Sequence, residues 1–497
     1  MNINRIVILG AGSAGLLAAL TLRRRTRLDV EIIRSPDIGV IGVGEGTTHT
    51  FPQFLLNELR LDPQRLFAEA QPIWKLGLRF LWGSRPEFIY NFGVQLDERW
   101  PGLARNNGFY CEKSMDDMNV LAALQARNKA FPRRPDGLPD FSLHQFAAFH
   151  IENARLVAYL EERCRDFGAT IRDGTVTRVE RNEKGVEALF LEDGSRITAD
   201  LFVDASGFRS ELLGKALGEP YQNFGDALFC DRAVIGGWVR TDEPIKPYTT
   251  CETMDAGWAW QIEHEHFINR GYVFCSRFVD DDAARDELLR KNPKIPADKT
   301  RVVKFRTGRY TRMWVGNVVG IGNSSGFVEP LEATALAQII NQCRGLANIL
   351  VDSGGDVPPG YIDLYNRMQA ENWDEIRDFI ALHYRFNTRL ETPFWKLCQN
   401  ETPLGAAQEL VDFYAEHGPT SIHRHALLPQ TSIFGLEGYL VLLVGQQVPY
   451  SIKATPSSSE MQALQKHRGC FAAIGENGCT TAECLAAVRN PAWKWWS

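Results

Sequence analysis

Hydrophobic and polar positions along the chain change period several times, and each change marks an element. An apolar run over 5–9 predicts a strand, glycines over 10–15 a turn, helical spacing over 16–25 a helix, and 30–33 a second buried strand. The run Gly42-Val43-Gly44-Glu45-Gly46 predicts a flexible turn, and the helix after it carries Phe54, Leu55, Leu59 and Leu66 on its apolar side. Alternation over 72–82 predicts one strand. Residues 83–145 lose any period, contain proline clusters such as Pro132 and Pro135, and predict a loop-rich insertion. Helical spacing resumes over 151–166, and strand patterns over 169–202 include Glu192-Asp193-Gly194-Ser195 as a turn. Segments near 230–275 and 302–321 predict strands, and a long helix is expected over 331–351. From 358 onward aromatic-studded helices dominate. The pattern predicts an α/β body over 1–355 and a helical C-terminal lobe over 356–497.

Composition narrows the classes. The chain has 497 residues, 61 acidic and 55 basic side chains, and a net charge of −6. A nucleic-acid binder would show a basic excess, so no nucleic-acid partner is expected. The ten cysteines are scattered without closely spaced CxxC pairs, so no metal site is expected and reduced thiols in a cytoplasmic protein are. No apolar stretch is long enough for a membrane span, and the glycine-broken opening does not resemble an export signal. No internal repeat is present. A soluble enzyme is the expectation.

Three segments point to a dinucleotide. Gly10-x-Gly12-x-x-Gly15 follows a strand and opens a helix, the setting in which backbone amides approach a pyrophosphate. Asp200 to Gly207 and Gly316 to Asn323 are further strands running into small residues. Their order matches a two-dinucleotide fold and favours FAD over NAD. At the end of the second strand, where an acid usually meets the ribose, Arg34-Ser35 stands instead; Arg34 suits an extra phosphate, a stacking contact or solvent equally.

The chain resembles the flavin-dependent halogenases, in particular the tryptophan halogenase group. The resemblance rests on the 10–15 glycines, Gly42 to Glu45, Trp74-Lys75-Leu76-Gly77, Asp204 to Gly207, Gly257-Trp258-Ala259-Trp260-Gln261-Ile262 and Arg270-Gly271-Tyr272-Val273. It continues in Trp314 to Asn317, Gly326 to Glu332, Trp373 to Phe379, His383-Tyr384 and Pro393-Phe394-Trp395. It implies a flavin monooxygenase-like FAD-binding fold with a β-sheet substrate wall. It implies FADH2 from a separate flavin reductase, hypohalous acid made from halide and oxygen, and an electron-rich aromatic substrate, indole or tryptophan foremost. Lys75 and Glu332 match the family's catalytic pair, and Thr334 and Ala335 its halide site. Gly10, Gly12, Ser13, Ala14, Gly15, Glu45, Gly46, Val176, Asn323 and Leu336 fall on cofactor-binding positions, and Trp258 and Trp260 on the flavin-side barrier. A homodimer is left open.

The residues themselves add reasons. Alternation places Lys75 on one strand face with Ile73, Gly77 and Arg79, where Gly77 leaves space beside the ammonium and Arg79 adds a like charge. Glu332 is expected at the start of the long helix, favoured by its dipole, where it polarises the halogenating species or takes the ring proton. Two departures matter. Ala333 and Ala335 replace Ser and Gly of the family pattern, and Glu263 replaces the Pro that ends its Trp-x-Trp-x-Ile-Pro motif. Fewer donors at the halide turn should penalise strongly hydrated chloride, so bromide is the expected preference. His264 and His266 read as solvated strand histidines. Tyr384, Phe394, Trp395, Tyr439 and residues 445–449 suit either a substrate pocket or a core. The competing functions are a flavin monooxygenase that hydroxylates its substrate, and a catalytically impaired FAD-binding homologue.

Overall fold

The computed structural model describes residues 1–39, 44–93, 100–105, 108–111, 114–420, 427–428 and 432–493. The chain forms two compact units that interleave along the sequence. One comprises Met1–Gln71, Ile151–Gly225 and Phe305–Asp374; the other comprises Pro72–His150, Asp226–Lys304 and Glu375–Ser497. Periodicity alone suggests one cut near 355, but strands distant in sequence pair with one another, and pairing decides the units.

The first unit is built on a six-stranded sheet, in the order Trp314–Val315, Val318–Gly320, Leu201–Asp204, Arg5–Leu9, Asp29–Arg34 and Thr170–Asp173. All neighbours are parallel except the short hairpin of the first two. Val7, Leu9, Ile33, Phe202 and Val318 bury one face against Val186, Leu189 and Leu191 of a small antiparallel sheet. Helix Ser13–Arg25 is buried along Leu16, Leu17, Leu20 and Leu22. The long helix runs Ala335–Asp352, and its start is four residues later than the periodicity places it.

The second unit holds a seven-stranded sheet, in the order Arg301–Lys304, Arg232–Val239, Phe267–Phe274, Gly257–Glu263, Tyr248–Met254, Gly77–Leu81 and Phe88–Asn91. Helix Asp281–Lys291 covers one face through Ala284 and Leu288, which meet Val234, Ala259, Tyr272 and Phe274. The strand expected over 72–82 is two strands. Ile73–Lys75 pairs with Ala148–Glu152, whereas Gly77–Leu81 joins the large sheet. Between them the Leu76 amide donates to the Pro247 carbonyl at 2.7 Å, so the chain passes from one sheet to the other without breaking its alternation. The loop-rich 83–145 region contains strand Phe88–Asn91 and helix Val120–Ala126. Helices dominate from Pro359–Phe386 onward, as the pattern predicts. Among the described residues, no helix is long and apolar enough to cross a membrane.

Candidate active site

The three glycine-bearing segments meet at one edge of the first unit. Leu9, Asp204 and Gly320 align in register on adjacent parallel strands, so their loops leave the sheet side by side. That is the C-terminal edge where α/β sheets hold nucleotides. Gly10 has φ +115°, and a Cβ there would lie 2.4 Å from the Ala205 carbonyl; a Cβ at Gly15 would lie 1.9 Å from the Gly10 carbonyl. These two glycines allow close backbone packing. A Cβ at Gly12, which caps helix Ser13–Arg25, would meet nothing within 4 Å, which leaves the helix N-terminus open to a pyrophosphate. The donor set and the open cradle fit FAD.

The other expected cofactor positions lie on several elements. Ser13 Oγ donates to Asn153 Oδ1 at 2.9 Å. A Cβ at Gly322 would lie 2.9 Å from that of Ala14. Asn323 sits in the turn Gly322–Ser324, which Gln342 of the long helix holds by accepting from the Gly322 amide and donating to Ser325 Oγ. Leu336 is buried in the first turn of that helix. Val176 opens a strand and packs against the cluster around Leu9 and Ile33. Glu45 and Gly46 lie in strand Gly44–Gly46, whereas Gly42 and Val43 fall outside the described residues. Glu45 is half-buried by area, yet protein atoms desolvate its carboxyl and push its pKa up to about 7.

Two charged side chains at this edge are held by partners within the unit. Arg34 makes ion pairs at 2.6 Å with both Glu161 and Asp173. Its charge is matched within the protein, which removes the reason to expect a second phosphate. Asp204 is buried and accepts from the amides of Leu212 (2.7 Å) and Leu213 (2.8 Å) and from Ser206. It anchors the turn after its strand.

The turn expected to hold the halide also departs from expectation. Glu332 closes a 3₁₀ turn, Pro330–Glu332, instead of opening the long helix. Ala333 follows at φ +55° and ψ +35°, with its amide donating to the Pro330 carbonyl at 3.0 Å, and Thr334 precedes the first helical residue, Ala335. This left-handed residue separates Glu332 from the helix, so Glu332 is not a first-turn acid. Glu332 and Thr334 are both buried, and Ala335 is half-buried.

In the second unit Lys75 is fully buried, with its ammonium 5.4 Å from the centre of the Phe92 ring. Trp74 faces away and packs on Phe131 and Phe141, with ring centres 5.4 and 5.3 Å distant. The readings of Gly77 and Arg79 change. A Cβ at Gly77 would lie 2.1 Å from the Tyr90 carbonyl, so this glycine admits the neighbouring strand and leaves no space for a ligand. Arg79 is held by Glu87 and by the Tyr248 hydroxyl at 3.0 Å, which answers its charge. A titratable neighbour on this face was not foreseen. His150 stands opposite Ile73, and Lys75 opposite Ala148, so lysine and histidine are diagonal neighbours on one face. His150 is buried, and its Nε2 lies 2.8 Å from Thr249 Oγ1. Burial, followed by the charges of Lys75, His264 and Arg240, holds its pKa well below the usual histidine range. The only sequence signal for it was the apolar alternation around 148–151.

Trp258 and Trp260 share a strand face, with ring centres 6.1 Å apart, and both are buried. Glu263 points to the opposite face of that strand, where Arg240 and Gln261 Nε2 bind it. The substituted position therefore belongs to a buried ion pair and leaves the tryptophan face unchanged. His264 is buried and bonded to Asn269 at 2.8 Å, contrary to the solvated reading, whereas the His266 side chain is 81% exposed. Tyr384, Phe394, Trp395 and Tyr439 are core: Tyr384 stacks on Trp395, whose indole donates to the Met254 carbonyl at 2.7 Å.

Comparison with known proteins follows the same lines. A family profile described as Tryptophan halogenase matches residues 5–459. Tryptophan 7-halogenase RebH of Lentzea aerocolonigenes is 30% identical over 450 residues, covering 83% of this chain and 82% of the relative. Tryptophan 7-halogenase KtzQ of Kutzneria sp. (strain 744) is 31% identical over 454 residues, covering 85% and 83%. The structure of MibH, described as a lathipeptide tryptophan 5-halogenase, aligns with TM-score 0.91 at 35% identity over 99% of this chain and 94% of that one. BrvH, a flavin-dependent halogenase from Brevundimonas sp. BAL3, aligns with TM-score 0.85 at 27% identity, over 98% and 99%. The chain belongs to the tryptophan halogenase family: it is a flavin-dependent halogenase, an oxidoreductase that works with FADH2 and a halide.

Proposed function

We infer that this enzyme halogenates the indole of tryptophan, with Lys75 as the residue that passes the halogen to the ring. The reduced flavin, delivered by a separate reductase, supplies the electrons with which oxygen and halide yield hypohalous acid. Thr334 and the amides that follow it hold the halide at the helix N-terminus. Trp258 and Trp260 wall the strand face and keep the arene from the flavin side. Lys75 holds hypohalous acid by hydrogen bond, or takes its halogen as a haloamine with loss of water, and presents the halogen to the ring. Glu332 takes the ring proton as aromaticity returns. The observation that carries this reading is a fully buried lysine on a strand, a position that a charged side chain seldom occupies without a task.

Tryptophan within a peptide is a second substrate reading, supported by the 35% identity to the lathipeptide tryptophan 5-halogenase structure. Mass spectrometry with reductase, FAD and each halide, on free tryptophan beside a tryptophan-containing peptide, separates the two. A halogen on either supports the reading. Hydroxylated product with no halogen on either contradicts it.

A further inference from the structure

The histidine beside Lys75 leaves one buried atom unexplained. His150 Nε2 is engaged by Thr249, but Nδ1 is buried and has no hydrogen-bond partner among the described residues. An orphaned polar atom in a dry interior is costly unless a guest satisfies it. The register of Ile73–Lys75 against Ala148–Glu152 puts this atom's ring on the lysine face, one diagonal step from Lys75. Diagonal neighbours in such a pair lie about 7–8 Å apart at their backbones, so a small polar molecule can bridge their side chains.

The electrostatics select which tautomer is present. Lys75 on the adjacent strand and Arg240, which is itself paired with Glu263, both disfavour positive charge on the ring. An N–H pointing into that field is unfavourable, whereas a lone pair is favoured. The imidazole therefore carries its hydrogen on Nε2 and donates it to Thr249 Oγ1, which leaves Nδ1 as an acceptor.

We propose that His150 Nδ1 is the second docking atom for hypohalous acid: the Lys75 amine or ammonium meets the oxygen, and the hypohalous acid O–H donates to His150. This rests on the reading that halogen passes through Lys75. Two contacts on one oxygen fix the direction of its halogen; one contact lets it swing and escape. Thr249 fixes the ring, and His150 is thus a specificity device against leakage of oxidant.

The test compares His150→Gln, His150→Phe and His150→Asn with the parent enzyme, measuring arene product against hypohalite caught by a soluble scavenger. Gln keeps a group near Thr249 but loses the acceptor at Nδ1; Phe keeps the ring and loses both nitrogens; the Asn carbonyl restores an acceptor near Nδ1. The expected result is about a tenfold fall in arene product for Gln and Phe, with scavenged hypohalite rising in step, FADH2 oxidation unchanged, and partial rescue by Asn. Parent-like partition in Gln and Phe, with Lys75→Ala inactive toward the arene, overturns the role of His150 alone. Arene halogenation by Lys75→Ala overturns the underlying reading instead. Loss of FADH2 oxidation in all three variants marks a purely structural histidine and also overturns the proposal.

Discussion

The indole of Trp260 occupies the space in which a side chain at Gly271 would begin. The two are opposite one another on adjacent strands, and a Cβ at 271 would lie 2.0 Å from the six-membered ring. The bare glycine lets the large ring lie against the sheet, and Trp258 follows two residues earlier on the same face. Gly271→Ala should therefore push Trp260 off its strand at a cost of about 1–3 kcal/mol. Chemical denaturation measures the loss, and a product mixture containing oxygenated arene would report a damaged barrier. Unchanged stability would mean that the ring yields without strain.

Glu263 and Arg240 are a buried ion pair on the face opposite the tryptophans. Removing the carboxylate strands a buried guanidinium, and Glu263→Ala should cost about 3 kcal/mol or more. Its product profile in surviving folded enzyme should remain that of a halogenase, because the tryptophan face is untouched.

The turn proposed to hold the halide predicts selectivity. Ala333 supplies no hydroxyl and sits in the left-handed region, and Ala335 adds a methyl at the first helical residue. Bromide, which loses less on dehydration, should outcompete equimolar chloride in the product mass spectrum. Ala333→Ser with Ala335→Gly should move the ratio toward chloride. Ala333→Gly should stabilise the protein by about 1 kcal/mol by relieving the backbone. Predominant chlorination by the parent enzyme would contradict the donor argument.

His150 also leaves a signature in stability. Its folded pKa lies well below the ordinary 6.5, so below that pH the unfolded chain binds a proton that the folded chain refuses. Stability should be full above about pH 6.5 and fall as the pH drops from there, by up to about 1.4 kcal/mol per pH unit from this group. Denaturation at pH 7 and 5.5 should show a smaller loss for His150→Phe than for the parent.

Much of the flavin corner was legible in the sequence because glycine turns after parallel strands are local signals: the 10–15, 204–207 and 316–323 segments each stand at a strand end. What escaped was non-local. Leu76 joins two sheets while the alternation around it continues, so Gly77 read as ligand space when it admits Tyr90. Arg34 looked unanswered because its partners, Glu161 and Asp173, lie more than a hundred residues away. Glu332 looked like a helix acid because a 3₁₀ turn ending in a left-handed alanine has no periodic signature. His150 was hidden by an ordinary buried-strand pattern.

Passage of the halogen to the substrate through Lys75 is tested most directly by a single variant. The measurement is product formation beside FADH2 oxidation for the parent and Lys75→Ala under identical reductase, FAD, halide and tryptophan supply. Halogenated arene should be lost in the variant while FADH2 is oxidised at a rate close to that of the parent. Halogenated product from Lys75→Ala at a yield near that of the parent would contradict it.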